Sequence, residues 1–468
     1  MTNVLHTLFL QKGLRAIVFS LLLLQWLIPA SAHSQETLRT EASPGLFEQW
    51  NAFRSDVREH GLVFETINTL DVLSNVSGGR QQKTAAAGNV DLLLTVDGQK
   101  LFDWHEATFF LYGLGLYGKN PSDHVGDIQS VSSIAAPNTW KLFEAWYQQN
   151  FLKKRVSLLA GLYDITSEFD VIQSSSELFL NGSFGTGPEF ANSGENGPST
   201  FPDTSLSLRG QAFLSDTIAV RAVIADGVPG DPNGSNGTEI ILNKKNGIFA
   251  ATEMAYYTFK KLMTKEARKT VLRARPLRLV FQRVGRAAPV EYQGKYAAGL
   301  WGYSTDLNDL SAIDRAGNPV VRQGTYGAYG LIEHIVFREP QDPGQHLTFF
   351  ARVGYADPRV NRLSQYYGGG LVYRGLIPGR DVDGLGMGVA VTRNGSHFTR
   401  ARRRTGQSTT DSEIALEFTY ALNVGPELVL QPDVQYIINP DTNPAVRNAF
   451  VLGVRVQLNL SWFEERED

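Results

Sequence analysis

Without a cysteine among its 468 residues, the chain can make neither a disulfide nor a thiolate metal site, a composition suited to an oxidising compartment. Its formal net charge of -3 offers no overall field for nucleic acid or an acidic substrate. A mean hydropathy of -0.18, with 45 glycines and 11% aromatic residues, is too polar for a bundle of membrane-spanning helices.

At the N-terminus, Lys12 and Arg15 precede an apolar run over 16–29, and Ala30-Ser31-Ala32 follows as a small-x-small cleavage site. Residues 1–32 therefore read as a cleaved export signal, since the apolar run falls short of the roughly 20 residues a helical span needs. Residues 33–62 are polar and read as a short N-terminal periplasmic segment, partly helical in "SPGLFEQWNAFRSDVREHG". From Val63 the chain becomes a series of aromatic and β-branched segments separated by Gly, Asn, Asp and Pro clusters. Sixteen strands are expected, near 63–74, 89–97, 106–117, 139–149, 155–163, 204–213, 217–225, 247–258, 294–304, 325–337, 346–356, 365–374, 385–393, 412–422, 427–437 and 449–462.

The connections between them fall into two classes. Short ones at 150–154, 214–216, 338–345 and 423–426 alternate with long polar ones at 164–203, 226–246, 305–324, 394–411 and 438–448. That is the signature of an all-β, up-and-down, antiparallel transmembrane barrel with short periplasmic turns and long outer loops. Counting "LRLVFQRV" (277–284) as a strand would scramble the alternation, so 259–293 is read as an insertion at the periplasmic end.

The last strand states the pattern most clearly. In "VLGVRVQLNLSW", Leu452, Val454, Val456, Leu458, Leu460 and Trp462 share one face, while Gly453, Arg455, Gln457, Asn459 and Ser461 share the other. "ELVLQPDVQYI" and "IALEFTYAL" alternate in the same way. Two packed sandwiches would also alternate, but they leave the even strand count and the alternating loop lengths unexplained. In hydrocarbon every backbone N–H and C=O must be satisfied within the protein, which a closed sheet achieves. Sixteen strands enclose a lumen wider than side chains can fill, so the polar face lines water and the apolar face meets lipid. Trp104, Trp140, Tyr163, Phe349, Tyr373, Tyr436 and Trp462, near strand ends, are expected in interfacial girdles.

"WNAFRSDVREHG", "DVLSNVSGGR", "TWKLFEAWYQQNF", "SEFDVIQSSSELFLNGSFGTGP", "GPSTFP", "GGGLVYRGLIPGRDVDGLGMGVA" and "LQPDVQYIINP" resemble the carbohydrate-selective porin (OprB-type) family of Gram-negative outer membranes, from about Trp50 to Phe463. The resemblance implies a 16-stranded barrel that admits sugars by passive, selective diffusion. Two features depart from the family. The terminal aromatic that barrel assembly machinery reads, Phe463, is followed by the acidic tail 464–468, and the 259–293 insertion is longer than the family pattern.

A sugar channel needs no nucleophile, metal or cofactor; it needs donors and acceptors matched to hydroxyls and an aromatic surface for a pyranose face. On parity, the candidates are Glu144, Trp146, Gln148, Arg209, Gln211, Arg221, Arg352, Glu417, Gln431, Asp433, Arg455 and Gln457. The blander reading is that most of them only solvate a wide lumen. Loop 164–203 carries Phe169, Leu178, Phe179 and Phe184, more apolar side chains than a solvated loop needs, so it is expected to fold inward, with Asp164, Glu168 and Asp170 building a constriction.

"RARRR" (400–404), on an outer loop, is read as a partner for lipopolysaccharide phosphates or as solvated, not as a nucleic-acid patch. No motif sets one of the eight histidines beside a nucleophile, so no enzyme is expected. The expected partners are mono- or oligosaccharides, outer-membrane lipid and lipopolysaccharide, the barrel assembly machinery and a homotrimer; nucleic acid is not among them. A porin for organic acids, or a general diffusion pore, stands as the rival function.

Overall fold

The computed structural model describes residues 57–231, 234, 237–259, 292–425 and 427–460. The expected export signal 1–32, most of 33–62, nearly all of the 259–293 insertion, Trp462, Phe463 and the tail 464–468 lie outside the described residues.

Sixteen antiparallel strands close on themselves in sequence order. They are β1 (Leu62–Gly79), β2 (Thr84–Asp97), β3 (Ala107–Gly118), β4 (Thr139–Phe151), β5 (Val156–Tyr163), β6 (Ser205–Phe213), β7 (Ile218–Asp226) and β8 (Ile248–Thr258), followed by β9 (Gly294–Ile313), β10 (Pro319–Arg338), β11 (His346–Ala356), β12 (Leu363–Arg374), β13 (Gly384–Asn394), β14 (Ser412–Asn423), β15 (Leu428–Ile438) and β16 (Arg447–Asn459). β1 pairs with β2 on one side and with β16 on the other, so neither terminal strand presents an open edge to lipid.

The two-faced pattern survives in three dimensions. On β16, Ala449, Val451, Arg455, Gln457 and Asn459 are buried, whereas Leu452 is 40% exposed. On β14, Glu417 and Thr419 point in while Leu416 and Phe418 are exposed. Apolar side chains exposed in a row around the outside, with polar ones inside, suit a cylinder surrounded by hydrocarbon.

Two expectations need correction. Residues 305–324 are not a long polar loop: β9 and β10 continue as a paired hairpin, with Asn308 opposite Val321 and Leu307 opposite Arg322. The turn lies at its tip, where Asp314 accepts hydrogen bonds from the backbone of Ala316 and Asn318. Polar residues on both faces read as loop, yet a ladder that has left the membrane needs no apolar face to persist. A bulge at Gly324, whose φ is +74°, lets the hairpin change direction there. Tyr163 is likewise no girdle residue, because it points inward and is 1% exposed. Trp104, Trp140, Phe349 and Tyr436 are exposed, and Tyr373 is half-buried with its hydroxyl donating to Glu339.

Five α-helices lie in connections among the described residues: α1 (Gly98–Phe102), α2 (Ser122–Val125), α3 (Gln173–Leu178), α4 (Pro188–Ala191) and α5 (Ser396–Arg404). No described helix is long and apolar enough to cross a membrane.

Candidate functional site

The inward rows of the barrel do not stand open. Two connections at the same rim, residues 119–138 and 164–204, turn into the cylinder and pack on its inner wall. An irregular segment placed there has backbone amides that no ladder satisfies, and each must find a partner. The wall supplies carboxylates. Glu333 of β10 accepts from the Ser174 amide at 2.6 Å and from the Tyr292 hydroxyl. Glu417 of β14 accepts from the Leu180 and Asn181 amides at 2.6 and 3.0 Å. Lys295 of β9 donates to the Val171 carbonyl at 2.7 Å.

Buried charges on the loop are paired with arginines of the wall, as burial demands. Glu168 receives two hydrogen bonds from Arg209, at 2.7 and 3.2 Å, and one from the Tyr163 hydroxyl at 2.5 Å. Arg221 bridges Glu253 at 2.9 Å and the Glu168 carbonyl at 2.7 Å. Arg352 is the densest node. It grips Asp170 through two 2.6 Å hydrogen bonds and Glu189 at 2.7 Å, and its guanidinium lies 4.9 Å from the Tyr366 ring centroid.

Charge and burial set the loop acids apart. Burial alone would raise the Glu168 carboxyl, but Arg209 and Arg221 overcome it and hold the group below its usual value. Asp164, without an arginine, is pushed up by burial to about 6 despite hydrogen bonds from Thr166.

Between these ionic ties lies an apolar seat. Leu178, Phe179 and Phe184 rest on a glycine-lined stretch of β13, where a Cβ at Gly386 would come within 2.7 Å of Leu178 and one at Gly388 within 2.6 Å of the Phe184 ring. Phe179 and Phe184 stack at 4.4 Å and meet Phe350 of β11 edge-on. Further along, Phe190 packs among Phe249, Trp301 and Tyr329.

The inward course of connection 119–138 was not anticipated. Ser132 donates to Asp71 of β1 at 2.7 Å, the Ile128 and Gln129 amides donate to Glu413 of β14, and the Ser133 amide reaches the Leu180 carbonyl at 2.7 Å, tying the two inward segments together. The available signal was faint: Val131 and Ile134 within a run of small residues, both now buried.

The strand candidates thus face inward from around the barrel, with their polar atoms largely engaged by protein. Glu144 accepts from the Trp146 indole and from the Asp164 amide, each at 3.1 Å. Trp146 stacks on Phe110 at 4.9 Å and is 4% exposed, so its ring is not a free platform. Gln148 and Gln211 accept from Arg209 and Arg221. Gln431 donates to the Leu178 carbonyl at 2.5 Å, and Asp433 accepts from Gln435 at 2.9 Å. Arg455 is held by Asp71, while Gln457 is buried beside it on β16. Asp71, Glu253, Glu333, Glu413 and Lys295 do comparable work and were missed, although each is a charged residue that the structure buries on a strand.

Comparison with known proteins places this architecture. The family profile described as "Carbohydrate-selective porin, OprB family" matches residues 81–460. The chain is 23% identical over 458 residues to "Porin B" of Pseudomonas aeruginosa, covering 92% of this chain and 94% of that one. It is 20% identical over 445 residues to "Putative porin QuiX" of Acinetobacter baylyi, covering 88% and 92%. Among solved structures, Pseudomonas putida OprB at high pH superposes with a TM-score of 0.74 at 20% identity, over 88% of this chain and 97% of that chain.

Proposed function

The chain belongs to the carbohydrate-selective porin, OprB family, and from that premise we propose a route for its solute. It is an outer-membrane porin through which carbohydrates pass by passive diffusion. The route runs along the inner wall past the two docked connections, and its narrowest part is set by loop 164–204.

The observation that carries this reading is the Arg352 node, which fixes Asp170 and Glu189 of the loop to β11 at hydrogen-bond distance. A loop merely resting in the lumen needs no such buried, charge-assisted bonds; one that sets a bore has to be held against thermal motion. In this account Arg209, Arg221, Arg352, Glu417 and Gln431 position the constriction, while half-buried polar groups of the loop, such as Asp164, Gln173 and Ser176, meet the sugar's hydroxyls.

We also propose that residues 1–32 direct export, that the barrel assembly machinery reads Phe463, and that the barrel associates as a homotrimer through its apolar outer row. Liposome swelling tests the route. Vesicles carrying the wild-type protein should admit monosaccharides at rates that depend on their identity, and deletion of 177–196 should speed entry and flatten that dependence. Unchanged rates after the deletion would place the loop outside the path.

A further inference from the structure

The mouth of the barrel carries a cationic surface that the route described above does not use. Connection 395–411 holds Arg400, Arg402, Arg403 and Arg404, with Asp411 at its far end as its one carboxylate. Nine of its residues form α5, which leaves the β13–β14 rim and packs on β9, four strands from β13. The contacts fall on the β9 extension, where Asp309 and Ser311 are buried. His397 lies 2.7 Å from Asp309, and Arg404 donates to the Ser311 carbonyl at 2.5 Å. Asp309 and Ser311 lie past the bulge at Gly324, so the helix is clasped to the hairpin where it projects from the rim of the barrel.

Three of the neighbouring carboxylates are already committed. Asp309 pairs with Arg322 at 2.8 Å as well as with His397, Asp357 pairs with Arg359 at 2.7 Å, and Asp441 pairs with Arg362 at 2.7 Å and Arg80 at 3.2 Å. The Phe398 ring meets Arg362 at 4.7 Å and Arg402 at 5.9 Å, which fixes a second face of the helix. With one face on β9 and another on Arg362, the face left over carries Arg400 and Arg403. Both are exposed and neither has an ion pair among the described residues.

We propose that this face of α5 is an entrance filter that gathers sugars bearing a carboxylate or phosphate, so that acidic saccharides are preferred solutes of the pore. The proposal rests on the porin reading and adds a substrate class to it. Uncompensated cations at the rim of a low-dielectric tube focus field lines into it and raise the local concentration of anions; a neutral pyranose, with no net charge, gains no such enrichment. The effect must fade as salt shortens the Debye length from about 10 Å at 0.1 M to about 3 Å at 1 M.

The test uses the full-length exported protein in phosphatidylcholine vesicles, with and without added lipopolysaccharide, and compares entry of glucuronate and glucose 6-phosphate with entry of glucose. Wild type should favour both anions at low salt. Arg400→Glu/Arg403→Glu should lower the anion-to-glucose ratio by about 5-fold or more, within the range that steering commands, and leave glucose entry unchanged. Arg400→Gln/Arg403→Gln should fall between the two. Unaltered glucose entry also reports that the variants are folded. A ratio indifferent to the substitutions overturns the proposal, and so does an effect confined to lipopolysaccharide-containing vesicles, which would assign the arginines to lipid phosphates. Failure of the porin reading looks different: wild type would then admit neither glucose nor glucuronate.

Discussion

Asp71 and Arg455 face each other across the seam where β1 and β16 close the barrel, joined by two hydrogen bonds of 2.7 and 2.8 Å. They are direct register partners and both are essentially inaccessible. A bidentate, buried pair at that point joins the first-made strand to the last. Removing one partner strands a buried charge, at a cost of about 3–5 kcal/mol. Arg455→Leu should therefore lower the temperature at which the barrel loses its heat-modifiable gel mobility, and Asp71→Leu/Arg455→Leu should recover much of the loss. A double variant as unstable as the single one would mean that the cost comes from losing the pair itself and not from a stranded charge.

The Arg352 node makes a prediction about conductance. Arg352→Met keeps most of the side chain's bulk but leaves Asp170 and Glu189 without their cation, so loop 164–204 should loosen from β11. Single-channel recordings should show larger and noisier openings than wild type. Steady, wild-type openings would show that the apolar seat alone positions the loop.

That seat can be tested separately. Gly388→Val places methyl groups where the Phe184 ring lies, 2.6 Å from the position of an ideal Cβ. Overpacking of this kind costs about 1–3 kcal/mol, and here the loop is the softer partner. The expected outcome is a raised conductance with little change in the thermal stability of the barrel, read by the same gel shift.

Asp164 gives the loop a dependence on pH. Its carboxyl titrates near 6, raised from the ordinary value of 3.8 by burial. A folded-state pKa above the unfolded one means that docking is favoured in full below about pH 4 and that this contribution is lost as pH rises through 6. Conductance should thus increase between pH 4 and 7, and Asp164→Asn should flatten the increase. Glu144, whose carboxylate accepts the Asp164 amide, is a neighbouring acid, so Glu144→Gln is the control.

Much of the architecture was legible because the chain sits between two solvents. Strands such as β14 to β16 alternate charge with Leu, Val and Phe so regularly that register and sidedness follow from parity. Legibility stopped where that constraint stops. Beyond the lipid, the β9–β10 hairpin has no reason to alternate, and its polar residues read as loop. Inside the barrel, polarity marks the inward row but cannot say whether Glu417 or Arg209 wets the lumen or grips a loop, because the partners are backbone amides and acids far away in the sequence. Connection 119–138 was barely legible for the same reason: Ser132 and Ser133 carry no sign that Asp71 and Leu180 await them.

The account's central claim is a tube, polar within and apolar without, narrowed by a latched loop and open to sugars. Planar-bilayer recording of the purified protein tests it most directly, with ion current measured while sugar is added to the chamber. The account predicts stable ionic steps that added sugar reduces in a saturable manner, and that grow when residues 177–196 are removed. A protein that inserts as a heat-modifiable barrel yet carries no ion current, with or without the loop, would contradict it.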